Sequence, residues 1–380
     1  MAPRYLPILK WRQREVSALS KLLPSDRDNV MPVFELPMEP WNFDCGRPQL
    51  VGLTPYRDFG CRLSDAWGAK RCAIDAPHVG GYEASLQSLV LDSIFHQART
   101  YGCVAVPVVG TDRSPAYLRA IRRICSKDGQ GLCIRLHHED IDQHTASQIA
   151  SLLSTLQVHP GQCDVLIDFE ACVSSSPNSH SHATCAALEW LPCLNSWRSL
   201  TVAATAMPVA LPVDMFCPQG DIIRDEWAGF LIAAEEMWRR GIVLSFADYG
   251  VHHPRSDMVD PRLIGRHLTL IYASESRWTI YASPYEEVLA IREVARRCLS
   301  RLKRSTYTNH RDDGSATATP CWADTQIARL CDSEIDHQAL RLWSQIATNR
   351  HVSLVSRQLH DHANHLYGQT ALLAGYGRLH

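Results

Sequence analysis

Residues 131–170 run GLCIRLHHEDIDQHTASQIASLLSTLQVHPGQCDVLIDFE, and their pattern decides the fold. The short apolar run Gly131–Arg135 ends on charge, Ala146–Leu156 places apolar residues at helical spacing, and Asp164–Phe169 is a second apolar run that again ends on charge. Strand, helix and strand at this spacing make a βα repeat, and successive repeats build a parallel sheet.

The unit recurs in both directions. Apolar runs at Tyr5–Lys10, Val30–Leu36, Cys72–Ala76 and Val104–Val109 come before it, and Ser199–Thr205 and Val243–Asp248 come after. Helical segments fall between them at Glu15–Leu23, Pro55–Trp67, Ala84–Tyr101, Pro115–Cys125, Ala183–Leu194 and Asp225–Arg240. Eight such strands ending near Asp248 fit the roughly 250 residues that close an α/β (β/α)8 TIM-like barrel. An open doubly wound sheet is the rival, but no GxGxxG follows the first strand, and eight units favour closure.

Past the eighth strand the pattern changes. His267–Ala273 and Trp278–Ser283, separated by the polar Ser274–Arg277, predict a hairpin, and Glu286–Lys303 predicts the barrel's closing helix. Ser305–Pro320 has the composition of a flexible connection, and the last sixty residues are helical in pattern. The expected organisation is a barrel over 1–304 that includes the hairpin and closing helix, a connection over 305–320, and a C-terminal helical extension over 321–380 that packs on the barrel.

Charge and composition limit the function classes. With 38 Lys and Arg against 40 Asp and Glu, the chain carries a formal charge of −2, so a general electrostatic grip on nucleic acid is not expected. The basic run Arg296-Arg297 with Arg301, Lys303 and Arg304 is expected to be a solvated helix face. The opening MAPRYLPILKW has no secretory pattern, and no apolar run reaches the length of a membrane span; a cytoplasmic protein with no membrane partner is expected. The 14 cysteines form no CxxC pair, which favours buried reduced thiols over disulfides or a zinc ribbon.

In a β/α barrel the C-terminal strand ends form the mouth where chemistry collects. Here those ends are polar: Lys10, Glu35, Asp75, Arg135 with His137, Asp168 with Glu170, and Asp248 followed by Tyr249. Alternation along a strand gives Asp168 and Glu170 a shared face, as it does Arg135 and His137, so all are expected to converge on one ring. As a site, the ring's carboxylates can hold Mg²⁺ or Mn²⁺, with Asp168 and Glu170 as first ligands, or divide into acid and base. The plain alternative is a buried ion-pair network in which Lys10 and Arg135 neutralise Glu35, Asp75 and Asp168. Across the closed sheet, Asp248 is expected to meet Lys10.

Other features carry less. His137-His138-Glu139-Asp140 suits a general base or a metal, or equally the acidic approach to a helix N-terminus. His180 and His182 are expected in a Ser-rich loop, Ser174–His182, and His360, His362 and His365 on a solvated tail. No GxSxG, P-loop or HExxH is present. Paired carboxylates also suit glycoside hydrolysis, for which Trp11 and Tyr249 are the candidate aromatic platforms. In the last segment, Asn349 and His351 sit among apolar residues and need partners if buried. The stretch Trp322–Leu359 is expected to fold back so that they approach Tyr249 and His253.

Several strings carry a family resemblance: YLPILKWRQREVSAL and VMPVFELP near the start, FADYGVHHP after the eighth strand, the hairpin pair IYAS and WTIYAS, and WADTQI with LWSQIATNRHVSLVSRQL near the end. Together they resemble the Beta protein family of satellite phages. The family's closing motif has two adjacent histidines after Asn, where this chain has Asn349-Arg350-His351. The resemblance implies a barrel fold and a phage, prophage or mobile-element setting, with toxin control or anti-phage defence as the role. A partner toxin or another defence-system protein is the implied partner, and no settled activity comes with the family. On this basis the leading expectation is a defence or toxin-antitoxin component whose mouth binds an anionic ligand or a partner protein. There Lys10 and Arg135 supply positive charge, and His137, Tyr249, His253, Asn349 and His351 are further binding residues. The runner-up is a metal-dependent phosphodiesterase or nuclease using Glu35, Asp75, Asp168, Glu170 and Asp248, and a structural scaffold ranks third.

Overall fold

In the computed structural model, Tyr5–Lys10 pairs in parallel with Val33–Glu35 on one side and Leu244–Asp248 on the other, which closes the sheet. Around the barrel the strands run Tyr5–Lys10, Leu244–Asp248, Ser199–Thr205, Cys163–Ala171, Leu132–His137, Ala105–Val109, Cys72–Asp75 and Val33–Glu35. This is the eight-stranded parallel barrel expected from the apolar runs. The structure describes residues 4–36, 41–42, 47–48, 56–172, 176–211, 219–255, 267–284, 288–302, 319–332 and 342–376.

Strand bounds shift for local reasons. The second strand covers only Val33–Glu35, not Val30–Leu36, because Pro32 has no N–H to give a ladder; its carbonyl still accepts from Ala73 N at 2.8 Å. The fifth starts after Gly131, whose φ of +68° is not a strand conformation. The helices between strands include Phe59–Trp67, Ala84–Thr100, Pro115–Asp128, Thr145–Leu156, Pro177–Glu189 and Asp225–Arg239. Pro115–Asp128 shows why they form where they do: Ser114 Oγ caps Tyr117 N at 3.2 Å, Pro115 opens the first turn, and Gly129 leaves it at φ +64°. Pro177 likewise opens a helix over most of the expected Ser174–His182 loop, so His180 and His182 are helical residues.

The chain divides into two compact units. The first comprises Met1–Arg12, Met31–Ala204 and Gly229–Asp248 and contains the barrel. The second comprises Gln13–Val30, Thr205–Ala228 and Tyr249–His380. It holds the hairpin, whose strands His267–Ala273 and Arg277–Pro284 pair antiparallel, and a third strand, Gln219–Ile223, added beside Arg277–Pro284. The sequence boundary at 304 thus differs from the structural one: the hairpin and the helix Val288–Leu302 group with Trp322–Asp332 and Trp343–Tyr376. Residues 303–318, which take in most of the expected connection at 305–320 and Lys303 and Arg304 of the basic run, lie outside the described residues. Within that run Arg296 and Arg297 are exposed, and Arg297 Nε pairs with Glu293 one turn away at 3.0 Å. His360, His362 and His365 lie on the helix Trp343–Tyr376, not on a tail. Among the described residues, no helix is long and apolar enough to cross a membrane.

Candidate functional site

Register brings the polar strand ends together in the first unit. Lys10 stands opposite Glu35, Glu35 opposite Asp75, and His137 opposite Asp168. Arg135 is the hub. Its Nε and Nη2 reach Asp168 Oδ2 at 2.8 and 2.6 Å, and its Nη1 reaches Asp75 Oδ2 at 2.7 Å and Glu35 Oε2 at 3.0 Å. The remaining carboxylate oxygens are also engaged. Glu35 Oε1 takes the Lys10 ammonium, Asp75 Oδ1 takes Arg113 Nη2 at 3.2 Å, and Asp168 Oδ1 accepts from Glu170 N at 2.8 Å. Three carboxylates and three cations thus form one buried, charge-matched network.

Burial alone would raise the Glu35 carboxyl, but Arg135 and Lys10 outweigh it and hold the group down at about 2. His78, on the turn Pro77–Gly81 after the third strand, is shifted the other way: burial lowers its imidazole. The charges of Glu35, Lys10, Asp75 and Arg113 all act on it.

Two ring members were not legible as such. Arg113 and His78 lie on loops, where no periodicity marks orientation; the only signal was the basic residue in GTDRSP, just past the fourth strand. Conversely, Glu170 leaves the ring that alternation assigns it. Its φ of +55° breaks the two-residue period, and its side chain, 30% exposed, stands 3.8 Å from His137 Nδ1. Asp248 is fully buried and accepts from the Tyr5 hydroxyl at 2.6 Å. The expected Asp248–Lys10 pairing gives way to Tyr5–Asp248 and Lys10–Glu35, because Asp248 is in register with Pro7, three residues before Lys10.

The aromatic platforms are not exposed. Trp11 packs against Phe34 and Phe59 with ring centroids at 5.2 and 4.4 Å, and Tyr249 is buried. His180 is buried beside Phe169, ring centroids 5.0 Å apart, and burial pushes its imidazole down to about 4. A cavity of about 740 Å³ lies between the helices Pro115–Asp128 and Thr145–Leu156, lined by Thr111, Asp112, Leu118, Glu139, Asp140 and Leu152 among others. None of the three ring carboxylates is in its lining.

The network does not fit Mg²⁺ or Mn²⁺. A divalent cation needs several oxygens converging on an open point, and the Arg135 guanidinium already lies among the oxygens of Glu35, Asp75 and Asp168. Among the described residues, no group of three or more His, Cys, Asp or Glu is placed to hold a metal ion.

The family model for the Beta protein matches residues 5–357. The chain belongs to the Beta protein family. No curated protein matches it. Among solved structures, one similar chain is a xylose isomerase-like TIM barrel/4-hydroxyphenylpyruvate dioxygenase fusion protein, at 8% identity and TM-score 0.31, covering 80% of this chain and 44% of that one. This chain thus spans less than half the length of the fusion protein. Another is a sugar phosphate isomerase/epimerase from Parabacteroides distasonis ATCC 8503, at 11% identity and TM-score 0.29, covering 64% of this chain and 90% of that one.

The other residues singled out from the sequence of this Beta protein family member, Tyr249, His253, Asn349 and His351, belong to the second unit. His253 Nδ1 accepts from Arg255 N at 3.0 Å. Asn349 joins three helices: its Oδ1 accepts from Ala323 N and its Nδ2 donates to Ala18 O, both at 3.0 Å. His351 Nδ1 accepts from Trp278 Nε1 at 3.4 Å. Between them Arg350, 1% exposed, gives Nη1 to Asp324 Oδ2 at 3.2 Å and Nε to Ala273 O at 3.2 Å. Tyr272 donates to the other Asp324 oxygen at 2.5 Å. Burial alone would lower the Arg350 guanidinium, but Tyr272 and Asp324 hold it above its ordinary value. Asn349-Arg350-His351 therefore lies inside the fold, with polar partners that staple helix to helix and helix to hairpin.

Proposed function

We propose that the barrel mouth recognises an anionic group, and that the protein works inside the cell as part of a phage- or prophage-encoded defence or toxin-control system. The observation that carries the first statement is the hub at Arg135. By binding one oxygen each of Glu35, Asp75 and Asp168, it fixes carboxylates that in turn orient Lys10 and Arg113. Cations held in place by buried carboxylates suit an acceptor-rich ligand, since their orientation is set before binding. Lys10, with 15% of its side chain exposed, is the most accessible of the three. The setting rests on family membership, and the anionic group belongs either to a small molecule or to a partner protein of that system.

The reading is tested by thermal unfolding in a panel of phosphates, carboxylates and chloride at equal ionic strength. A ligand of the native state raises the midpoint with its concentration, and Lys10→Gln should remove that rise. No shift with any anion would overturn the reading. For the setting, plating of phages on cells that carry the gene with its neighbours should drop, and Lys10→Gln should restore it.

A further inference from the structure

The two arginines of the mouth are held differently. Arg135 makes its contacts to three carboxylates at 2.6–3.0 Å. Arg113 is looser: Nη2 lies 3.2 Å from Asp75 Oδ1, and Nη1 lies 3.4 Å from Pro77 O and 3.7 Å from the exposed Asp112 Oδ2. Its Nε is buried and has no hydrogen-bond partner among the described residues. The side chain is 8% exposed.

A guanidinium recognises oxoanions through paired donors, and the Nε–Nη2 edge is one such pair. On Arg113 that edge is half filled. Asp75 offers it one oxygen because the other is engaged by Arg135 at 2.7 Å. The guanidinium carbon lies over the Tyr117 ring, 5.5 Å from its centroid, a cation–π contact that helps to hold the group in place.

Placement adds the ligand's shape. Lys10 comes from the first strand and Arg113 from the loop after the fourth, yet they lean onto Glu35 and Asp75. Those two are register partners on adjacent strands, and adjacent strands lie about 4.8 Å apart. The ammonium and the guanidinium edge therefore stand over neighbouring strands.

We infer that Arg113 is the residue that grips the anion, and that the anion is a phosphate-type group bridging Arg113 and Lys10. One oxygen of a tetrahedral phosphate takes the unpartnered Nε, a second shares Nη2 with Asp75 Oδ1, and a third faces Lys10. Malonate reaches the same edge with one planar carboxylate and has only its second carboxylate, held away by a methylene spacer, to offer the ammonium. This inference rests on the reading of the mouth as an anion site and names the ligand class and gripping residue within it.

Isothermal titration of the full chain with inorganic phosphate and with malonate, at constant ionic strength, tests it. The wild type is expected to bind phosphate more tightly than malonate. Arg113→Lys keeps the charge but loses the paired donors, so phosphate affinity should fall about tenfold or more while the unliganded melting midpoint stays close to wild type. Arg113→Gln should lose phosphate binding, and if it fails to fold, Arg113→Lys decides. Binding by the wild type with Arg113→Lys unaffected would overturn the role of Arg113 and leave the mouth reading standing. Equal or tighter binding of malonate would overturn the ligand class, and no binding of either anion would overturn both readings.

Discussion

Arg135 Nε donates to Asp168 Oδ2 at 2.8 Å, tying the fifth barrel strand to the sixth at the mouth. The same guanidinium continues to Glu35 and Asp75, so removing it leaves three buried carboxylates without their shared cation. Arg135→Met is expected to lower stability by about 3–5 kcal/mol in urea unfolding at neutral pH. A loss near zero would mean that the carboxylates find other partners.

Acid should weaken the mouth in a defined window. Glu35 falls from its ordinary 4.5 to about 2 in the fold. A lowered carboxyl stabilises fully above its unfolded value and loses that contribution as pH drops through the folded one. Its share, on the order of 3 kcal/mol, should therefore disappear between about pH 4.5 and 2. Stability against pH for wild type and Glu35→Gln checks this, and parallel curves across that window would refute it.

In the second unit, Asp324 balances the buried Arg350. Asp324→Ala leaves that guanidinium uncompensated and should cost about 3–5 kcal/mol. Tyr272→Phe removes only the hydroxyl donor, at about 1–2 kcal/mol. Chemical unfolding followed by tryptophan fluorescence compares them, and similar losses would contradict the ranking.

The barrel is legible because its strands are apolar runs, six of the eight closed by a charged residue, and Lys10, Glu35, Asp75, Arg135 and Asp168 fall at those strand ends. What escaped depends on features with no period. Glu170 turns out of the ring at φ +55°. Arg113 and His78 reach the ring from loops. The partner of Asp248 follows from register, which shifts it to the level of Pro7. The Ser-rich 174–182 segment hides a helix start at Pro177. Asn349, Arg350 and His351 show only as polar residues in an apolar helix, because their partners come from Ala18, Asp324 and Trp278 elsewhere in the sequence.

Gly131 marks where the barrel tolerates no side chain. A Cβ there would meet Gln162 O at 1.9 Å, at a backbone φ of +68°. Gly131→Ala combines left-handed strain with a clash against backbone and should cost about 2–4 kcal/mol, checked by thermal and urea unfolding. A near-neutral result would mean that the approach to the fifth strand can shift.

Binding of an oxoanion at the charged ring of the mouth can be seen in an anomalous difference map from crystals soaked in tungstate. Tungstate is tetrahedral like phosphate, and its heavy atom reports its own position. The strongest peak is expected within hydrogen-bonding reach of Lys10 Nζ and the Arg113 guanidinium, and it should be absent from crystals of Lys10→Gln. A dominant peak elsewhere with none at the ring, or a ring peak that survives Lys10→Gln unchanged, would contradict it.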